Sequence, residues 1–309
     1  MDIGYLAAGI TLVSWTVGTF AFTRASQLAN PSSVNRVRLL FAFIILSVLT
    51  CFYLGINPIE LFTTPNFEQY LWFGISGFIG LTLGDYFAFT AYSILGSRRT
   101  SLFACFAPGA ALFAAYFLVG ERINIAGIIG MLISISGIIL LVSSRKEHKA
   151  VENEHKGSFN KGILFAALGA ICQGLGLVLA KKGFSFSENN FSPMYATWIR
   201  MFSASFFVYL MGTFNVPFWK EMKEIIGNKK VIHALLLGTV FGPVIGVSFS
   251  LLAANHLDAS VAQTIFTLLP ASVLFTSVIF FKERVPFLSY LAVIISILGV
   301  IVLVWRNNF

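Results

Sequence analysis

Of the 13 acidic residues in this chain, Asp85 is the one set well inside an apolar run; the others fall in polar loops or at run ends. A carboxylate placed there has a functional and a structural role open to it, the structural one including hydrogen bonds to span-end groups. It can face a wet cavity, where it would hold a cation or exchange a proton, or it can be a structural acid paired with an arginine such as Arg38. Phe89 and Tyr92 follow at four and seven positions, on the same helical face. Ser14 and Trp15 in "VSWTVG" and Gln173 in "ICQGLG" occupy matching places in two other runs. A Gln in such a run must face protein or water. Gln263 begins a later run. Asp85, Trp15, Ser14, Phe89, Tyr92, Gln173 and Gln263 are the candidate substrate-binding or coupling residues.

A second set reads as structural. Arg38 and Arg200 lie a few residues into their runs, where an arginine can snorkel to an interface or tie down a neighbouring helix end; an anion-binding role is the alternative. Pro108 and Pro270 sit inside apolar runs, where a missing donor and a steric clash kink a helix. The kinks could shape a cavity and hinge it, or be static bends. The pairs Glu121, Arg122 and Glu283, Arg284 close two apolar runs and read as helix-end anchors and ion pairs. Tyr195 and Trp198 fit an interfacial aromatic belt. No two of the four histidines take metal-ligand spacing within a run, so no metal site is expected. No phosphate-binding Gly-x-x-x-x-Gly-Lys-Ser/Thr loop occurs, so no cofactor and no ATPase of its own are expected.

The elements that must position these residues follow from composition. Hydrophobic residues make up 57% of the chain and charged residues 11%, with 33 Phe. So few charges cannot clothe a soluble surface, and the sensible solvent is a bilayer. Ten apolar spans are expected, near 3–22, 35–54, 70–91, 97–119, 123–143, 161–181, 194–213, 233–253, 259–281 and 286–305. Each approaches the ~20 helical residues that cross a bilayer core, and backbone groups in lipid must satisfy one another, so the spans are helices. The start runs directly into a full span without a basic region, which is unlike a cleavable signal. Cys51, Cys105 and Cys172 lie in apolar runs and read as packed side chains. The net charge of +8 is scattered over short loops, which fits anionic lipid headgroups and gives no basis for nucleic-acid binding.

The chain also repeats itself. At a shift of 162, Pro31 meets Pro193, Arg38 meets Arg200, Gly80 and Gly84 meet Gly242 and Gly246, Pro108 meets Pro270, and Gly137 meets Gly299. Glu121 and Arg122 likewise meet Glu283 and Arg284. The first span needs a shorter shift, which pairs Gly4 and Gly18 with Gly162 and Gly176. Residues 1–143 and 161–309 are thus two five-span halves, joined by the polar linker 144–160. Five is odd, so the second half enters from the opposite face and the repeats are inverted, as in many secondary transporters. Of the 21 Lys and Arg, all but the deep Arg200 and the four residues Arg122, Lys181, Lys182 and Arg306 fall on one set of alternate loops. That bias places the linker in the cytoplasm and both termini outside.

Two five-span halves, each with a proline in its fourth span, a closing "GER" or "KER", and then "SISGIILLV" or "SILGVIVLV", resemble paired EamA domains of the drug/metabolite transporter superfamily. "GLTLGDYFAFTAYSILGSRRTS" is similar to the third-span motif of one EamA branch. The second half has "GVSFSLL" in its place, so the acid is not duplicated. The resemblance implies an all-α integral membrane protein, with ten transmembrane helices in two inverted five-helix EamA repeats. It also implies a cavity lined by spans 1, 3, 4, 6, 8 and 9. The expected protein is a non-enzymatic secondary active transporter of the cytoplasmic (inner) membrane. It would move small metabolites, amino acids or related solutes among them, in the export direction, coupled to protons or another ion or driven by the solute gradient. The expected partners are a small-molecule substrate and membrane lipids, with the chain a monomer or weak dimer. A membrane-embedded enzyme acting on a lipid-linked substrate, or a non-transporting membrane protein, are the competing readings.

Overall fold

A computed structural model describes residues 3–120, 124–142, 159–186, 191–212, 218–257, 259–280, 282 and 286–305. Glu121, Arg122, Glu283, Arg284 and almost all of the 144–160 linker lie outside the described residues. Every regular element among the described residues is helical. In the first half these are α1 (Ile3–Leu28), α2 (Pro31–Leu54), the single turn α3 (Glu60–Thr63), α4 (Phe67–Gly77), α5 (Gly84–Leu102), α6 (Phe106–Leu118) and α7 (Ile125–Val142). The second half holds α8 (Phe159–Phe184), α9 (Pro193–Gly212), α10 (Phe218–Gly227), α11 (Lys229–Thr239), α12 (Ser248–His256), α13 (Ala259–Phe266), α14 (Leu269–Phe280) and α15 (Phe287–Val304).

Local chemistry sets the boundaries. The Asn30 side chain accepts from Ser32 N at 2.9 Å, and Pro31, with no donor to lose, takes the first position of α2. Gly55, at φ 66°, ends that helix in the left-handed conformation. Asn66 and Gln69 cap α4 reciprocally, at 2.8 and 2.9 Å. Gly96, at φ 78°, interrupts α5 and divides the third span from the fourth.

Six helical runs are long and apolar enough to cross a membrane: Ile3–Leu28, Pro31–Leu54, Phe67–Ser97, Arg99–Leu118, Phe159–Phe184 and Lys229–His256. Ile125–Gly137, Leu269–Phe280 and Phe287–Gly299 are shorter apolar helices, and the expected seventh span falls on the 20-residue α9. The expected ninth span is two helices, since Thr267 and Leu268 form a turn between α13 and α14. Both span prolines sit just after such an interruption. Pro108 is the third residue of α6, behind a short 3₁₀ turn at Phe103–Cys105, and Pro270 is the second residue of α14. In a first turn the missing donor costs little, so the prolines mark helix restarts.

The two halves pack reciprocally. Gly18 lies against Gly242 and its equivalent Gly176 against Gly80; Gly4 faces Leu257 while Gly162 faces Leu95. On the last helix of each half, Gly137 faces Ser296 and Gly299 faces Ser134, whose Oγ donates to the Ser296 carbonyl at 3.2 Å. When residue i of one half meets j of the other, and j's equivalent meets i's, the halves are related by a two-fold axis. Two five-span halves related this way are an inverted repeat, with the axis in the membrane plane. Where the last helices of the two halves cross, glycine is required by space. A Cβ on Gly137 would stand 2.5 Å from Ser296 Oγ and 2.8 Å from the Ala292 carbonyl oxygen.

Tyr195 and Trp198 depart from the expected interfacial belt. They are 3% and 0% exposed. The Trp198 indole donates to Ser47 Oγ at 2.8 Å and Tyr195 Oη to the Leu61 carbonyl at 2.7 Å, which locks α9 onto α2 and α3. Their polar tips find partners inside the protein, so the aromatic bodies face helices.

Candidate functional site

Each half contains one stretch where the helix loosens by a residue. Phe78–Leu83, between α4 and α5, and Val240–Val247, between α11 and α12, are π-helical. They begin at equivalent positions, 162 apart, and hold Gly80, Gly242 and Gly246. Such bulges recur at functional sites because they re-aim the side chains beside them. Asp85 follows the first bulge by two residues, and the second contains Pro243, which donates no backbone hydrogen bond.

These two stretches flank a central cavity of about 110 Å³, several times the ~30 Å³ share of one liquid water. Trp15, Asp85, Phe89, Tyr92, Gln173 and Gln263, gathered from α1, α5, α8 and α13, all line it. Ser14 does not: it is buried, one helical step of about 100° from Trp15, and does not line the cavity. Trp15 is held between Gly246, whose lack of a side chain makes room for the indole, and the Phe266 ring at 5.1 Å.

Sequence reasoning set Arg38 and Arg200 apart as architecture, yet both line the cavity. Their side chains are 3% and 5% exposed and turn inward, so neither snorkels. Arg38 Nη2 donates to Asp85 Oδ2 at 2.5 Å and to Asn35 Oδ1 at 3.0 Å. Its guanidinium also lies 5.5 Å from the Phe22 ring centre and 5.2 Å from that of Phe89. Asn35 Nδ2 donates in turn to the Leu81 and Thr82 carbonyls, at 3.3 and 3.2 Å. Those two carbonyls belong to the loosened stretch, so the ion pair is tied to the bulge. The structural alternative for Asp85, pairing with Arg38, is therefore realised, and on the cavity wall. Arg200 makes no ion pair within 4 Å among the described residues, although Asp85 is near enough to act on its charge; its Nε is buried without a hydrogen-bond partner. Gly80 clears its path, because a Cβ there would stand 3.2 Å from Arg200 Nη2.

Pro108 and Pro270 are buried and do not line this cavity. The signal that could have moved both arginines into the site was present, since they repeat at one offset while the acid beside Arg38 does not. Phe22 and Thr19 were missed because neither residue type is unusual in an apolar helix.

A family model for the EamA-like transporter family matches residues 2–143 and again 160–305. The chain belongs to the EamA-like transporter family. This EamA protein is thus an integral membrane transporter of the drug/metabolite type, and its family implies a small-molecule substrate and a lipid surround. A search of curated proteins gives no significant match. A solved structure titled "Crystal structure of protein" is similar in fold, with a TM-score of 0.65 over 100% of this chain and 99% of its own, at 16% identity. Among the described residues no group of three or more His, Cys, Asp and Glu comes together.

Proposed function

We infer that this EamA protein is a secondary active transporter that works by alternating access, and is a carrier, not an enzyme. It moves a small metabolite, an amino acid or related solute, outward across the cytoplasmic membrane. One observation carries the reading. The cavity lies where the repeats meet, walled by both loosened stretches and by helices from both halves. In inverted-repeat carriers a midplane site between the repeats is exposed to each face in turn as one repeat rocks against the other. The Gly18–Gly242 and Gly176–Gly80 contacts bring helices of the two repeats into close approach beside the cavity, where one repeat would rock against the other. Residues 1–143 and 161–309 are the rocking units, and 144–160 tethers them on the cytoplasmic side, with both termini outside. The chain works as a monomer or weak dimer, driven by protons, another ion or the solute gradient.

The experiment is a thermal-shift screen of purified protein against a metabolite library, followed by counterflow of each hit into proteoliposomes. Flux that depends on intact protein and saturates with solute is expected. Hits that bind but show no flux in either direction would overturn the reading.

A further inference from the structure

The repeats are matched in backbone but not in charge. Arg38 and Arg200 take equivalent places and both reach the cavity. Each is seven residues into a helix that starts at a proline, Pro31 or Pro193. At ~1.5 Å per residue each lies roughly 10 Å deep, and inversion brings them in from opposite faces. The surroundings then differ. Arg38 has Asp85, Asn35 and two aromatic faces. The equivalent of Asp85 is Val247 and that of Phe89 is Leu251, so the second arginine has neither counter-ion nor ring at those positions. With two guanidiniums and one carboxylate, the wall carries one unbalanced positive charge among the described residues.

A buried cation without a partner is costly, and the cost is removed when an anion docks on it. A guanidinium binds a carboxylate through two parallel hydrogen bonds, which fixes orientation as well as charge. A cation would have to take Asp85 from Arg38 and would leave two guanidiniums unpaired.

We propose that the cavity selects a small organic monoanion, a carboxylate with an apolar or aromatic body, whose head docks on Arg200 while the Arg38–Asp85 pair stays closed. Trp15 and Phe89 flank the body. The proposal names the substrate class of the site described above, so it rests on the transporter reading for translocation; binding stands on the charge pattern alone.

The test uses the full chain in detergent, titrated calorimetrically with benzoate, benzyl alcohol and benzylamine. Benzoate binds and the other two do not. Arg200→Gln weakens benzoate by roughly 10- to 100-fold, the range for losing hydrogen bonds to a charged group. Arg200→Lys keeps part of the affinity and carries the test if the Gln variant does not elute as a single folded species. Benzylamine binding in preference to benzoate, no benzoate binding by folded wild type, or unchanged affinity in Arg200→Gln would each overturn the proposal. Radiolabelled flux separates the two readings. Benzoate binding without flux leaves this inference standing and removes the carrier, whereas benzylamine flux without benzoate binding does the reverse.

Discussion

Asp85→Asn keeps the shape of the side chain and removes the charge that Arg38 faces. The cost can be worked from the surroundings. Arg38 is 3% exposed and Asp85 21%, so of the two groups on the cavity wall the acid is the wetter. Deleting one partner of a buried ion pair typically costs about 3–5 kcal/mol. Here the wet acid, the retained Asn35 bond and the two aromatic faces soften the loss, to about 2–3 kcal/mol. At ~1.4 kcal/mol per tenfold this is roughly a 30- to 140-fold change in the folding equilibrium. The assay is SDS unfolding of micelle-solubilised protein, followed by tryptophan fluorescence, for wild type, Asp85→Asn, Arg38→Gln and the double variant. Once one charge has gone, removing the other relieves an uncompensated group. The double variant is therefore expected to be less damaged than the singles predict, with a coupling energy of about 1.5 kcal/mol or more. Coupling within about 0.5 kcal/mol of zero would show the pair to be a contact without energetic weight, contrary to this expectation.

Arg200→Gln removes a guanidinium whose carboxylate neighbour, Asp85, is already hydrogen-bonded to Arg38, and should leave ligand-free stability unchanged or raised in the same unfolding assay, within about 1 kcal/mol. Trp198→Ala should cost about 3–5 kcal/mol there, since a fully buried indole and its bond to Ser47 are both lost. Gly137→Val and its mirror Gly299→Val should each destabilise by about 1–3 kcal/mol, because both crossings are closed to a Cβ; a neutral result at either would deny the reciprocal packing. A reporter fused after Phe309 should give a non-cytoplasmic signal, and a cytoplasmic one would reverse the proposed topology.

The repeat frame was legible because Gly, Pro and Arg recurred at fixed spacing, and those residues have narrow physical uses. Gly18 meets Gly242 and Gly176 meets Gly80 across the two-fold, while Gly137 and Gly299 meet serines at matching positions, so shared glycines foretold contact points. Six of the seven candidate residues share one cavity because a lone acid, an amide and aromatic neighbours in a lipid span have few other places to go. Ser14 fell off the wall because a motif quoted as a string hides the 100° turn between neighbours. Arg38 does tie down a neighbouring helix end, through Asp85 at the start of α5, but the snorkelling expected as the other possibility for the arginines is not seen. A position seven residues inside a span is ambiguous between interface and centre, and the choice depends on which helix lies opposite. The break at Gly96 falls in the gap already expected between the spans 70–91 and 97–119, but the break at Thr267 and the bulges at Phe78 and Val240 leave no mark on hydropathy, since a loosened turn is as apolar as a regular one. Tyr195 and Trp198 have belt-like composition, and only the bonds to Leu61 and Ser47 turn them inward.

In an alternating-access carrier both membrane faces reach the cavity in turn. Gln173 is exposed on the cavity wall, so Gln173→Cys, with Cys51, Cys105 and Cys172 replaced by serine, places one thiol there. A membrane-impermeant maleimide is then applied to proteoliposomes of known orientation, from outside or sealed inside. Alternating access predicts labelling from either face, slowed from both by a bound solute. A thiol labelled from one face alone, whatever the solute conditions, would contradict it.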